Sequence, residues 1–270
     1  MKYHEQIYEN LNRLRTQAPL IHNITNYVVM NTTANCLLAA GASPVMAHAI
    51  EEVEEMTSIS GALVINIGTL DASWVKSMEK AMKTAKEQQI PIVLDPVGAG
   101  ATSYRTQVVH KLLDEFPPDI LRGNASEISA LYSEHVQTKG VDSIRESSSA
   151  VKAARYLSDR YECVTVISGA TDYVIGGQSQ GRVFNGCALM GKITGMGCMA
   201  TALAAGFTAV CELPFDAALS AMAVMGIAGE MAEQKSAGPG TFHPHFLDAL
   251  YHMEQNEIEK RLKLDTGNAS

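Results

Sequence analysis

Three short segments of this sequence assemble residue types that handle phosphate. In Thr194-Gly195-Met196-Gly197-Cys198, glycines stand where a loop enters a long stretch of small apolar residues. Glycine lets backbone N–H groups approach an anion closely, and a helix N-terminus adds partial positive charge. Such a turn is an anion hole suited to a phosphoryl group in flight. Cys198 falls in the first helical turn, where thiol pKa values tend to be lowered. Its plainer role is a small residue packing a helix onto a sheet.

The second segment is Leu94-Asp95-Pro96-Val97-Gly98-Ala99-Gly100. Pro96 forces an extended residue before it, so Asp95 is held at a strand end. A carboxylate there can hold Mg²⁺ beside phosphates; otherwise it caps the helix near Ser103, a task Ser103 can do itself. The third is Arg122-Gly123-Asn124-Ala125-Ser126-Glu127. Asn124 and Glu127 have the spacing of a capping box. Functionally, Arg122 suits a nucleotide phosphate and Glu127 the metal region. Upstream, Ile21-His22-Asn23-Ile24-Thr25-Asn26-Tyr27-Val28 concentrates hydrogen-bonding side chains, with Asn26 also a candidate helix cap. Gly41-Ala42-Ser43-Pro44-Val45-Met46 reads as a loop able to shape an apolar pocket.

Two nucleotide signatures are nearly met. Gly186-Cys187-Ala188-Leu189-Met190-Gly191-Lys192 matches G-x-x-x-x-G-K, but Ile193 stands where magnesium needs Ser or Thr. Gly195-Met196-Gly197-Cys198-Met199-Ala200 matches G-x-G-x-x-A, yet no second strand follows where a dinucleotide fold requires one. His243 and His245 lack a third zinc ligand nearby.

The elements that must position these residues read as an α/β sheet. The runs at 62–67, 91–94, 120–121 and 164–167 are rich in β-branched residues and lack polar alternation, as parallel strands covered on both faces do. They end at Gly68, Asp95, Arg122-Gly123-Asn124 and Ser168, where such sheets bind ligands. Helical patterns at about 73–89, 103–116 and 148–158 lie between them. A hairpin is expected at 173–184, and helices from Gly197 onward. No linker divides residues 1–270, so one domain is expected.

The 270 residues carry a net charge of −8, 46% hydrophobic side chains and only 16 aromatic ones. An acidic, aromatic-poor chain argues against nucleic acid as a partner. Five widely spaced cysteines without a C-x-x-C fit a reducing cytoplasm better than a disulfide framework. The charged N-terminus lacks a signal core. Residues 193–211 carry no charge, but their Gly, Thr, Ala and Met content predicts a buried helix instead of a membrane span.

Taken together, the chain resembles the hydroxyethylthiazole kinase family of the ribokinase-like superfamily. The likeness lies in Asn23-Ile24-Thr25-Asn26, Gly41 to Met46, Ile65-Asn66-Ile67-Gly68-Thr69, Asp95 to Ala101, Gly123 to Glu127, Thr194 to Cys198 and Gly238-Pro239-Gly240-Thr241-Phe242. The resemblance implies a three-layer α/β/α fold with a mostly parallel central sheet. It implies transfer of the ATP γ-phosphoryl, with Mg²⁺, to the hydroxyl of 4-methyl-5-(2-hydroxyethyl)thiazole in thiamine salvage. By the same resemblance, Met46, Gly195, Asn23, Asn26 and Gly68 fall at the substrate and Arg122, Ser168 and Asn124 at ATP. Asp95 and Glu127 organise the metal, while Cys198 with Gly195 and Gly197 carries the chemistry. A homotrimer with sites between subunits is also implied. Cys198 departs from the superfamily, where an Asp usually follows Gly-x-Gly as base, and Met196 stands where a smaller residue is common. A hydroxymethylpyrimidine-type kinase, a dinucleotide-dependent oxidoreductase and a binding protein without turnover are the alternatives.

Overall fold

The computed structural model describes residues 2–136 and 146–268. In chain order, α1 (Tyr3–Gln17), β1 (Leu20–Ile24), α2 (Met30–Ala40), β2 (Ser43–Val45), α3 (Val53–Ser58) and β3 (Ala62–Asn66) come first. Next are α4 (Ala72–Glu87), β4 (Ile92–Asp95), α5 (Ser103–Glu115), β5 (Ile120–Asn124), α6 (Ala125–Val136), α7 (Glu146–Tyr161) and β6 (Val164–Ser168). The hairpin β7 (Asp172–Gly176) and β8 (Ser179–Val183) leads through a 3₁₀ turn at Ala188–Lys192 into α8 (Met196–Thr208). α9 (Pro214–Glu233), α10 (Pro239–Tyr251), α11 (Gln255–Arg261) and β9 (Leu264–Asn268) follow.

The strands form one sheet in the order β2-β1-β3-β4-β5-β6-β7-β8-β9. The first six are parallel, and the β6–β7, β7–β8 and β8–β9 pairings are antiparallel. The pleat sends alternate residues to opposite faces. Val64, Val93, Ile120 and Val166 join α1, α2, α8, α9 and α10 in one core. Leu63, Leu94, Leu121 and Ile167 pack with α4, α5, α6 and α7 in the other. Helices therefore cover both faces, giving the expected three-layer α/β/α architecture. Burial on both faces is why these strands read as unbroken apolar runs.

Several local expectations change. Leu20–Ile24 is a strand, and its polar residues His22 and Asn23 are buried. Asn26 does not cap a helix: Val29 occupies the cap position of α2, and the Asn26 side chain turns inward. Ser43–Val45 reads as loop in sequence, but its register against β1, Leu20 with Ser43 through His22 with Val45, makes it the edge strand β2. Thr102, in place of Ser103 or Asp95, caps α5 by accepting from the Arg105 N–H. As expected, the uncharged 193–211 stretch holds a buried helix, which at 13 residues is too short to cross a bilayer. Among the described residues one helix, α9, is long and apolar enough for that; 78% of its apolar window is buried inside the molecule, as a core helix is.

Candidate active site

The carboxyl ends of β1, β3, β4, β5 and β6 bring the chemistry-bearing residues to one edge. Asp95, the last residue of β4, is buried. Its Oδ2 accepts from Thr201 Oγ1 at 2.7 Å and from Asn66 Nδ2 at 3.1 Å. Arg122 Nη1 lies 3.6 Å from the same oxygen. Oδ1 is buried with no hydrogen-bond partner. Burial pushes the Asp95 carboxyl up to about 6, against Arg122 and the Thr201 and Asn66 bonds; nearby Glu127 adds to the rise.

A chain of side-chain amides links this carboxylate to the thiol. Asn66 Oδ1 accepts from Asn26 Nδ2 at 2.9 Å and from the Gly68 N–H at 2.9 Å. Asn26 Nδ2 also reaches Cys198 Sγ at 3.6 Å. Gly68 is required here because a Cβ would sit 2.5 Å from Asn26 Nδ2. Cys198 and Thr201 are three residues apart on α8, so one helix face meets both ends of the chain. The Cys198 thiol is raised, not lowered as its helical position suggested. Burial dominates and Asp95 adds to it, while bonds from Asn66 and Asn26 and the charge of Arg122 oppose.

Gly195 enters α8 at φ 85°, and a Cβ there would fall 2.9 Å from Val29 Cγ1. No side chain caps this helix, so its first N–H groups stay available to a ligand. At Gly197 a Cβ would come within 2.7 Å of Arg122 Nη1. The missing side chain thus lets the guanidinium lie against the helix N-terminus. Arg122 Nε donates to Ser168 Oγ at 3.0 Å, fixing the fork across β5 and β6.

Arg122, Asn124, Ser168 and Gly197 line a cavity of about 620 Å³, which Asp172, Asn185 and Met222 also line. The Asn124 side chain is engaged in the capping box: its Oδ1 accepts from the Glu127 N–H, and Glu127 Oε2 accepts from the Asn124 N–H. Glu127 Oε1 takes the Gly98 N–H at 2.9 Å. The capping and positional readings of Glu127 therefore coexist. Residues 186–192 form no P-loop; Gly186, Cys187, Ala188, Met190 and Gly191 line the cavity, in and just before the 3₁₀ turn Ala188–Lys192 between β8 and α8. The dinucleotide reading fails as well, because helix α9 follows α8 where a strand is needed.

Met46 and Asn23 stand apart from this cluster. Met46 follows edge strand β2, two strands from β3, and is half-buried. Asn23 Nδ2 bonds the Ile21 carbonyl, while its Oδ1 is buried and unpartnered. Several contributors escaped the sequence reading. Asn66 carried a signal, a polar residue inside an apolar strand. Thr201 and Arg105 carried none, since their roles arise across elements. Arg105 donates to the carbonyls of Ile67, Val97 and Gly68 at 2.7, 2.8 and 2.9 Å, tying together the loops after β3 and β4.

Among the described residues no cluster of three or more His, Cys, Asp or Glu forms a metal cage. Mg²⁺ beside phosphates needs only one or two carboxylates, the remaining sites being phosphate and water oxygens. Asp95, with one orphaned oxygen, and neighbouring Glu127 fit that requirement.

The profile of the hydroxyethylthiazole kinase family matches residues 11–256. The chain belongs to the hydroxyethylthiazole kinase family. A hydroxyethylthiazole kinase of Leptospira biflexa is 56% identical over 254 residues, spanning 94% of this chain and 95% of that protein. One from Syntrophus aciditrophicus is 54% identical over 264 residues, covering 97% and 98%. The solved hydroxyethylthiazole kinase structure from Pyrococcus horikoshii OT3 superposes with a TM-score of 0.91 at 46% identity, covering 97% of this chain and 99% of that one. A ribokinase-like superfamily protein of Enterococcus faecalis V583 shares the fold alone, at a TM-score of 0.63 and 11% identity. The family thus carries the ribokinase-like fold, and its members are kinases that use ATP.

Proposed function

We infer that this chain transfers the γ-phosphoryl group of ATP to the hydroxyl of 4-methyl-5-(2-hydroxyethyl)thiazole, supplying thiamine synthesis by salvage. One observation carries the reading: the polar chain from Cys198 through Asn26 and Asn66 to Asp95 ends 3.6 Å from Arg122, which lines the cavity.

ATP occupies the 620 Å³ cavity, its phosphates toward Arg122 and the first turn of α8. Ser168 holds the Arg122 fork in place, and Asn124 lines the wall beside it. Asp95 and Glu127 would hold Mg²⁺, which when bound would supply neutralisation of phosphate charge. The N–H groups from Gly195 to Cys198 receive the moving phosphoryl group. The acceptor alcohol lies on the β1–β3 side, beside Asn26, Gly68 and Gly195, with the unpartnered Asn23 Oδ1 on the same strand β1. Cys198, in its thiolate form, takes the alcohol's proton. Burial and the Asp95 carboxylate keep that form scarce, and a loose, metaphosphate-like transition state tolerates late proton removal.

The chain acts as one domain, since strands from both ends enter a single sheet. Met46 at the sheet edge serves a neighbouring chain's substrate in a homotrimer; exposed Tyr27, Val28 and Ile50 support an interface there. Five free cysteines support a cytoplasmic location.

ADP release, measured with Mg²⁺-ATP and either the thiazole alcohol or a hydroxymethylpyrimidine, tests the reading. Turnover is expected with the thiazole. No release with it overturns the assignment, and preference for the pyrimidine transfers it to the rival kinase.

A further inference from the structure

One face of α9 does two jobs at once. Met222, Met225 and Gly226 line the nucleotide cavity, and Glu230, one turn on, grips the segment that forms the adjoining wall. At Gly226 a Cβ would lie 2.6 Å from the Asn185 Cβ and carbonyl oxygen, so helix and wall are in direct contact.

Asn185 is buried, and every polar atom of its side chain is engaged. Nδ2 donates to Glu230 Oε1 at 3.1 Å and to the Arg261 carbonyl at 2.7 Å. Oδ1 accepts the Lys263 N–H at 2.8 Å. Glu230 Oε1 also accepts from the Gly186 N–H at 3.2 Å and from Lys263 Nζ at 2.9 Å. The backbone joins in, with the Phe184 N–H donating to the Lys263 carbonyl at 2.9 Å. The cavity wall at Asn185–Gly186 is thus fastened to α9 and to the junction of α11 and β9. No residue of that junction lines the cavity.

We propose that Glu230 and Asn185 are positioning residues that latch the C-terminal segment to the nucleotide cavity and so set nucleotide affinity. The latch acts through the wall: with Glu230 gone, the Gly186 N–H loses its acceptor and the Asn185 amide loses one of its two. The 185–186 backbone then occupies more than one position, and nucleotide binding must reorder it. The acceptor side, at β1 and β3, is untouched. The inference rests on the assignment of this cavity to ATP.

The test compares full-length wild type with Glu230→Ala, Glu230→Gln, Asn185→Asp and Arg122→Met. ADP binding by calorimetry and KM for each substrate are measured. Glu230→Ala is expected to weaken ADP about tenfold and raise KM for ATP in parallel. KM for the thiazole alcohol and kcat at saturation should stay within about twofold. Glu230→Gln retains the Oε1 acceptor and should restore most of the loss, which a general loss of folding would not allow. Should Glu230→Ala fail to fold, Asn185→Asp serves instead: it keeps the Lys263 bond but turns an acceptor toward Glu230, and should weaken ADP comparably. Unchanged ADP affinity in both variants overturns the latch, as does equal loss for both substrates. Unchanged ADP affinity in Arg122→Met overturns the cavity assignment, and the latch falls with it. Weakening in Arg122→Met alone overturns only the latch.

Discussion

The sheet has a cavity at each end of the same strands, and the two are chemical opposites. The one at the carboxyl ends, about 620 Å³, holds Arg122 and the uncapped N-terminus of α8. The other, about 490 Å³, lies where β6 begins beside Gly176 and Gly177, and is lined by Asp119, Asp159 and Glu162 with apolar Leu213 and Phe215. Both are roomy and both combine polar with apolar walls. Only the first suits a polyanion. Right-handed crossovers send each helix back antiparallel to its strand, so helix N-termini gather at the carboxyl edge. The positive ends of the peptide dipoles collect there, and the acidic end repels phosphate. In a chain of net charge −8 the selection of phosphate is therefore local.

Breaking the carboxyl end should cost activity in graded steps. Cys198→Ala is expected to lower kcat roughly 10²–10⁴-fold, the range for lost general-base help. ADP binding by calorimetry should hold; an unchanged kcat would remove Cys198 from the chemistry. Asp95→Asn comes next, with about a hundredfold loss of kcat/KM. With the carboxyl raised to about 6, wild-type kcat/KM should fall as pH drops through that value, and the variant should lack this acid limb. Stability runs the other way. Folding raises this pKa from 3.8, so the wild type binds a proton more readily folded than unfolded. Relative to Asp95→Asn, its Tm should decline as pH rises from 3.8 to about 6 and level off above. Parallel Tm curves would show that the carboxyl titrates normally.

Gly197→Ala probes the contact between Arg122 and α8. Its Cβ would lie 2.7 Å from Nη1, displacing the guanidinium. About a tenfold rise in KM for ATP is expected, consistent with loss of one charged hydrogen-bond arrangement. A normal KM would mean that the fork relaxes without consequence. The smallest effect belongs to the opposite end. Asp159→Asn with Glu162→Gln, both exposed, should change kcat and ADP affinity less than about twofold. A larger effect would break the division between the two ends.

How much of this was legible in the sequence differs by residue. The parallel strands were readable because burial on both faces removes polar alternation, and Asp95, Arg122 and Glu127 followed as residues at strand ends. β1 was not readable: His22 and Asn23 are polar yet buried, and the partners of His22, Thr57 and the Ala47 carbonyl, are supplied only by folding. β9 escaped because its partner is β8, more than eighty residues upstream. Local sequence makes Asn26 a cap candidate, but its partners, Asn66 and Cys198, lie 40 and 172 residues away.

The sequence by itself determined the fold class, the family and the list of phosphate-handling segments, since strand periodicity, turn glycines and motif order are local properties. Tertiary structure alone decided what those segments do to one another. Packing α8 against β3 and β4 joined Thr201 to Asp95, and folding β1 beside β3 brought Asn26 to the thiol. It also reversed the direction of the Cys198 pKa. A thiol in a first helical turn is lowered by local geometry, but desolvation and a buried carboxylate are set by neighbours distant in sequence.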